Sequence, residues 1–193
     1  MIQKLPLILA SGSPRRQELL QGLGMKFSVL VKPVDETPPL GLAPREVAMF
    51  LARKKAGVFN KEDFAPGGLL TADTIVVMGE ELMGKPADET EAIAMLGSLS
   101  GRTHEVITAF CLRVGDELYT EADTAHVRIG KLSSEEITHY VRTQPPMDKA
   151  GGYGIQDWFG LALVERIEGS YYTVMGLPTH RAYFAFKKMG ILE

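Results

Sequence analysis

The chain carries a single cysteine, Cys111, in 193 residues. An internal disulfide is excluded, which suits a reducing compartment, and a cytoplasmic protein is expected. Cys111 lies in an apolar, strand-like pattern and reads as a buried structural thiol rather than a nucleophile. No run approaches the roughly 20 apolar residues that span a bilayer, so no membrane partner is expected. The apolar stretch that follows Met1-Ile2-Gln3-Lys4-Leu5-Pro6 is too short and too soon broken for a signal peptide. A basic surplus is lacking too: 21 Lys and Arg against 24 Asp and Glu leave a net charge of −3, which argues against a nucleic-acid partner. Any anion site must therefore be gathered from cations on separate segments.

Several catalytic signatures are also absent. There is no G-x-x-x-x-G-K-[ST] phosphate loop and no G-x-S-x-G nucleophile turn. His104, His126, His139 and His180 are scattered without zinc-type spacing. What remains is an ordinary globular composition, 45% hydrophobic and 23% charged, in a chain whose length suits one domain over residues 1–193. The stretch from about 60 to 140 is a candidate for a smaller lobe within it.

Helix and strand signals alternate without repeats. Leu5 to Ala10 reads as a strand and Pro14 to Leu23 as a helix closed by Gly24. Phe27 to Val31 is a short strand, an irregular proline-rich stretch runs through Pro44, and Arg45 to Phe59 is helical. Leu69 to Met83 is strand-like with a turn near Gly79-Glu80. Asp88 with Glu91, and Ser133 with Glu136, are capping-box pairs opening helices that end near Gly101 and Thr143. Between them, strands around His104–Val114 and Leu118–Ile129 flank a hairpin signal at Gly115-Asp116. Pro145-Pro146 leads into a glycine-rich loop, Trp158 to Ile167 reads as a strand, and Pro178 to Met189 as the last helix. Strands that follow helices and strands paired as hairpins together predict a mixed α/β sheet flanked by helices.

The segment Leu9-Ala10-Ser11-Gly12-Ser13-Pro14-Arg15-Arg16 joins the first strand to the first helix. Ser13 suits an N-cap and Pro14 the first helical position, so Arg15 and Arg16 stand where backbone N–H groups are unpaired. Hydroxyls, N–H groups and guanidinium forks make a seat for a phosphate-bearing anion; an ordinary turn with two solvated arginines accounts for the same residues. Asp73, in Thr71-Ala72-Asp73-Thr74, interrupts an apolar run, where a carboxylate needs a metal, a cation or hydrogen-bond donors. It could serve as a base or cation ligand, or close a local turn. Lys54 and Lys55 share nearly the same apolar helical surroundings, and spacing does not choose between them. Lys85 occupies the rigid turn Gly84-Lys85-Pro86, solvated or presented to a ligand. The loop Asp148-Lys149-Ala150-Gly151-Gly152-Tyr153-Gly154-Ile155-Gln156 permits close backbone approach to a ligand or is simply a surface loop. Gln156 brings the donor and acceptor groups that reading a base edge requires. His104 reads as a structural hydrogen-bonding residue.

Taken in order, Ala10-Ser11-Gly12-Ser13-Pro14-Arg15-Arg16, Val34-Asp35-Glu36, Lys55-Ala56, Ala72-Asp73-Thr74, Gly84-Lys85-Pro86, Ser100-Gly101-Arg102-Thr103-His104, the Asp148–Gln156 loop and Gly176-Leu177-Pro178 resemble the Maf family of nucleoside triphosphate pyrophosphatases over nearly the whole chain. The resemblance implies hydrolysis of a nucleoside triphosphate to monophosphate and pyrophosphate with a divalent cation, Mg²⁺ or Mn²⁺, whose ligands it leaves unknown. It implies a fold like the inosine triphosphate pyrophosphatases, with a long twisted mixed sheet, two lobes around a central cleft, and a homodimer. Asp73 matches the general base; Ser11, Arg16, Glu36, Lys55 and Lys85 match substrate-binding positions, which favours Lys55 over Lys54. Arg15, Thr74 and Gln156 are similar to the subgroup acting on dTTP and UTP, with modified pyrimidine nucleotides as further candidates, rather than the one directed at 7-methyl-GTP. Thr173, where asparagine is frequent, and Asp157, where glycine is common, depart from the pattern.

An aspartate, with a reference pKa of about 3.9, is a weak base for water, so a metal-polarised water attacking the α-phosphorus is the expected chemistry. A non-catalytic nucleotide-binding regulator linked to septum formation is one alternative reading, and a carboxylate beside the phosphates weighs against it; a phosphoryl-transfer enzyme cleaving at the γ-phosphate is a second.

Overall fold

The computed structural model describes residues 2–193. Its centre is a seven-stranded sheet in the order β2-β1-β3-β5-β6-β7, with β4 paired to β3. The strands are β1 (Leu7–Leu9), β2 (Phe27–Val29), β3 (Gly68–Met78), β4 (Glu81–Met83), β5 (Thr103–Val114), β6 (Glu117–Ile129) and β7 (Val164–Glu168). The principal helices are α1 (Pro14–Gly22), α2 (Pro44–Gly57), α3 (Glu89–Leu99), α4 (Ser134–Thr143), α5 (Trp158–Leu163), α6 (Tyr171–Met175) and α7 (Thr179–Lys188). Pairings of β1 with β2 and β3 are parallel, and those of β3 with β4 and β6 with β7 are antiparallel, so the sheet is mixed as expected. No helix among the described residues is long and apolar enough to cross a membrane.

The parallel part fixes where chemistry can happen. Leu9 pairs with Val29 on one side and Leu70 on the other, so β1 and β2 end side by side while β3 runs on past them to Met78. A bond from the Ala10 N–H to the Leu70 carbonyl (2.8 Å) extends that alignment one residue past the strand. Segments leaving these carboxyl ends are where open α/β sheets gather ligands.

Residue contacts divide the chain into two compact units. One comprises residues 2–73, Thr108–Asp123 and Gly176–Glu193. Its core is aliphatic and aromatic, with Leu7, Leu9, Leu20, Leu69, Leu70, Phe110, Leu112 and Phe186 buried, and Cys111 is buried among them. The other comprises Thr74–Ile107 and Thr124–Met175, with Leu96, Leu99, Val127, Tyr140, Val141 and Phe159 in its interior.

Two local expectations are corrected. Residues Trp158–Leu163 form helix α5, and the strand begins only at Val164. A short apolar run reads equally as a strand or as a buried helical turn. The distinguishing feature is Gly160, where a Cβ would lie 1.8 Å from the Ile155 carbonyl oxygen, so the backbone turns back there at a distance only glycine allows. Ser13 does occupy the N-cap of α1, but its side chain makes no capping bond; instead its N–H donates to the Ser11 hydroxyl (3.3 Å). The Ser133–Glu136 box is formed in full.

In the second unit, rings of Tyr140, Phe159, Tyr153 and His104 pack in sequence, with centroids 5.1, 5.1 and 5.5 Å apart. His104 Nε2 bonds the Tyr153 hydroxyl at 2.7 Å, which is the structural role its sequence position suggests. Burial lowers the His104 pKa to about 4. The folded chain thus refuses a proton that the unfolded chain accepts below about 6.5. Stability is then fully present above that pH and falls by about 1.4 kcal/mol per unit on acidification towards pH 4. Urea melts of the wild type should show about 3 kcal/mol lost from this source between pH 6.5 and 4. His104→Gln should be less stable at pH 7 but have a flatter acid limb; an unchanged slope would refute the assignment.

Candidate active site

The site in the first unit is assembled by alternation on β3. Residues two apart on a strand share a face, and residues three apart on a helix share a side. Thr71 donates from Oγ1 to the Ala52 carbonyl of α2 at 2.7 Å, which docks this face of β3 on α2. Asp73 is two residues further along the strand, and Lys55 three residues further along the helix. Their side chains meet, with Lys55 Nζ 2.5 Å from Asp73 Oδ1. The same ammonium lies 2.9 Å from Glu36 Oε2, in the segment that follows β2. Lys54, about 100° further round the helix, instead pairs with Asp35 at 2.9 Å. Hydrogen bonds from Thr37 and Lys54 hold the Asp35 carboxyl down at about 2. The choice that spacing left open between Lys54 and Lys55 is thus made by the register of α2 on β3.

Burial differs sharply around this ammonium. The Asp73 side chain is 9% exposed, Lys55 16% and Glu36 47%. Asp73 is thus the desolvated partner, Lys55 compensates its charge, and Glu36 is the outer ligand that solvent also reaches. Without Lys55 the buried carboxylate would carry a penalty of several kcal/mol.

The turn between β1 and α1 contributes the second cationic group. Arg16 donates from Nη1 to the Ser11 hydroxyl (3.1 Å) and from Nε to the Gly176 carbonyl (2.8 Å). Ser11 is buried, and its hydroxyl also accepts from the Ser13 N–H. Burial lowers the Arg16 pKa; the charge of Asp73 opposes that shift, Arg15 adds to it, and Glu36 opposes it again. The Asp73 and Glu36 influences show that these carboxylates and the guanidinium share one electrostatic neighbourhood. Arg15, next to Arg16 on the first turn of α1, is half-buried. The carbonyl of Gly176 is a positioning group for Arg16.

The second unit holds Thr74, Lys85 and Gln156. Thr74 is half-buried on β3, and Lys85 is exposed in the turn after β4. The Gly151 N–H donates to the Gly84 carbonyl (3.0 Å), tying that turn to the glycine-rich loop. Gly151, at φ 72°, is needed for packing as well as for its backbone, because a Cβ would meet the Val76 side chain at 3.0 Å. Its glycine therefore has a structural reason independent of any ligand. Gln156 donates from Nε2 to Asp157 Oδ1 at 2.9 Å, while its Oε1 is buried and accepts from no group among the described residues.

No cluster of three or more His, Cys, Asp or Glu side chains among the described residues is arranged to hold a metal. Asp73 and Glu36 converge on Lys55 just beyond the carboxyl ends of β1 and β2. Two hard oxygen donors suit Mg²⁺ or Mn²⁺ when substrate phosphates complete the shell, so the donor set fits such an ion.

The profile of the Maf-like protein family matches residues 6–189. A dTTP/UTP pyrophosphatase of Phocaeicola vulgatus is 44% identical over 189 residues, covering 97% of this chain and 98% of that protein. One from Porphyromonas gingivalis is 42% identical over 192 residues, covering 98% and 96%. Among solved structures, a nucleoside-triphosphatase / dITP/XTP pyrophosphatase from Mycobacterium abscessus aligns with 97% of both chains at 15% identity and a TM-score of 0.42. The match over nearly the whole length, with its relatives covered end to end, shows that this chain belongs to the Maf family.

Proposed function

We propose that the protein hydrolyses nucleoside triphosphates, dTTP and UTP foremost, to the nucleoside monophosphate and pyrophosphate. The observation that carries this reading is the Lys55 ammonium held between buried Asp73 and half-exposed Glu36 beyond the ends of β1 and β2, with Ser11 and Arg16 in the same unit. The names of relatives 42–44% identical over their full length support the substrate class.

In this mechanism Arg16, Lys55 and Ser11 meet phosphate oxygens; Lys85 is assigned to substrate binding on the family resemblance alone. Neutralising the developing charge is the main task in displacement at phosphorus. A phosphate oxygen competes with Asp73 for the Lys55 ammonium, which leaves Asp73 Oδ1 able to accept a proton from water. The water oxygen forms its bond to the α-phosphorus as the bond to the bridging oxygen of the β-phosphate breaks. The water proton passes to Asp73, and pyrophosphate leaves. A divalent ion held by Asp73 or Glu36 with the phosphates would supply further charge neutralisation and acidify water in its shell. Arg15, Thr74 and Gln156 select the nucleotide.

Three measurements test these assignments. Asp73→Asn should cut pyrophosphate release from UTP by at least about 100-fold while calorimetry still detects nucleotide binding; near-normal turnover would remove Asp73 as the base. Product analysis over a triphosphate panel should give pyrophosphate. Orthophosphate would mean cleavage at the γ-phosphate, and neither product would favour a binding regulator. Lys55→Met, which strands a buried carboxylate, should lose about 3 kcal/mol in urea melts. Adding Asp73→Asn to that variant should restore part of the loss; strictly additive losses would show that the pair is not coupled.

A further inference from the structure

Asp157 has no part in the mechanism above, yet both of its carboxylate oxygens are engaged. Its Oδ2 accepts from the Tyr140 hydroxyl at 3.0 Å and lies 3.6 Å from Lys149 Nζ. Its Oδ1 accepts from Gln156 Nε2 at 2.9 Å. Tyr140 is itself fixed: its ring is buried, and its oxygen accepts the Gly154 N–H at 3.0 Å. Burial, opposed by that N–H bond and reinforced by the Asp157 charge, raises the phenol pKa, so the hydroxyl stays a donor.

An ionised carboxylate only accepts hydrogen bonds, so the end of the Gln156 amide that faces it has to be the NH₂. Oε1 is thereby turned the other way, buried and lacking a donor among the described residues. A buried acceptor left unpaired costs about 1–3 kcal/mol, which a ligand N–H recovers.

We propose that Asp157 is a positioning residue for base selection, locking the Gln156 amide so that it offers only its carbonyl oxygen to the substrate. The inference rests on the nucleotide-hydrolase reading and deepens it. The ligand class it defines is a pyrimidine whose ring N3 carries hydrogen, as in uracil and thymine. Cytosine places a lone pair at that atom, and two acceptors facing each other repel. Discrimination between UTP and CTP thus depends on a residue that touches neither.

The experiment compares wild type, Asp157→Asn and Asp157→Ala, each first shown by thermal melting to be folded. Asparagine keeps the shape and the position ahead of α5 but carries an NH₂ that can bond Gln156 Oε1, turning the amide around. Alanine removes the anchor. The UTP-over-CTP ratio of kcat/KM should fall about tenfold in both variants. The change should come mainly through KM for UTP, and Asp157→Asn should gain most on CTP. The same preference is read without turnover as the Kd of α,β-methylene UTP against α,β-methylene CTP. If wild type releases no pyrophosphate, the hydrolase reading fails, while the Kd ratio still decides this inference. A ratio unchanged in both variants, equal losses on both nucleotides, or no UTP preference in the wild type would each overturn it.

Discussion

Burying a carboxylate on a strand lined by leucines costs several kcal/mol unless a cation meets it, and a strand cannot supply that cation to itself. Asp73 is met by Lys55, which arrives from a helix 18 residues earlier in the chain. That requirement constrains the rest of the unit. It sets the register of α2 on β3, already pinned by the bond from Thr71 to the Ala52 carbonyl. It draws in the segment carrying Glu36, and it keeps Lys54 on the outer side with Asp35. One ion pair therefore serves stability in the resting protein and, in the proposed mechanism, is the interaction a triphosphate exchanges for its own.

The arginine seat follows a related logic with a different partner. Arg16 is oriented by a backbone carbonyl, Gly176, and by a hydroxyl, Ser11. In the second unit, Asp157 plays the corresponding part for Gln156, using a fixed charge to orient a neutral amide. Arg16 and Gln156 are each oriented by a group with no part in the proposed mechanism, the Gly176 carbonyl and the Asp157 carboxylate.

Much of the secondary structure could be read from the chain. The capping pair at Ser133 and Glu136, the glycine turn between β5 and β6, and the proline that opens α1 act locally, and the elements start and stop where those signals lie. The reading failed at Trp158–Leu163, where an apolar run without clear period folds as a helix because Gly160 lets the backbone close on Ile155. It also left the glycine-rich loop ambiguous, since a glycine needed for a ligand and one needed beside Val76 look alike in sequence.

The sequence by itself determined which chemical groups were available and in what order, and that order already carried the family likeness. Asp73, Arg16 and Ser11 were identifiable because charge inside an apolar run, or hydroxyls and arginines opening a helix, are local patterns, whereas Lys55 was set apart from Lys54 only by the family likeness. Partnership was decided only by the tertiary structure. The selection of Lys55 over Lys54, the anchoring of Arg16 by Gly176 and the orientation of Gln156 by the Tyr140–Asp157 pair depend on strand register and helix packing. Those are distance relations between residues far apart along the chain, or on opposite sides of one turn, and no local pattern encodes them.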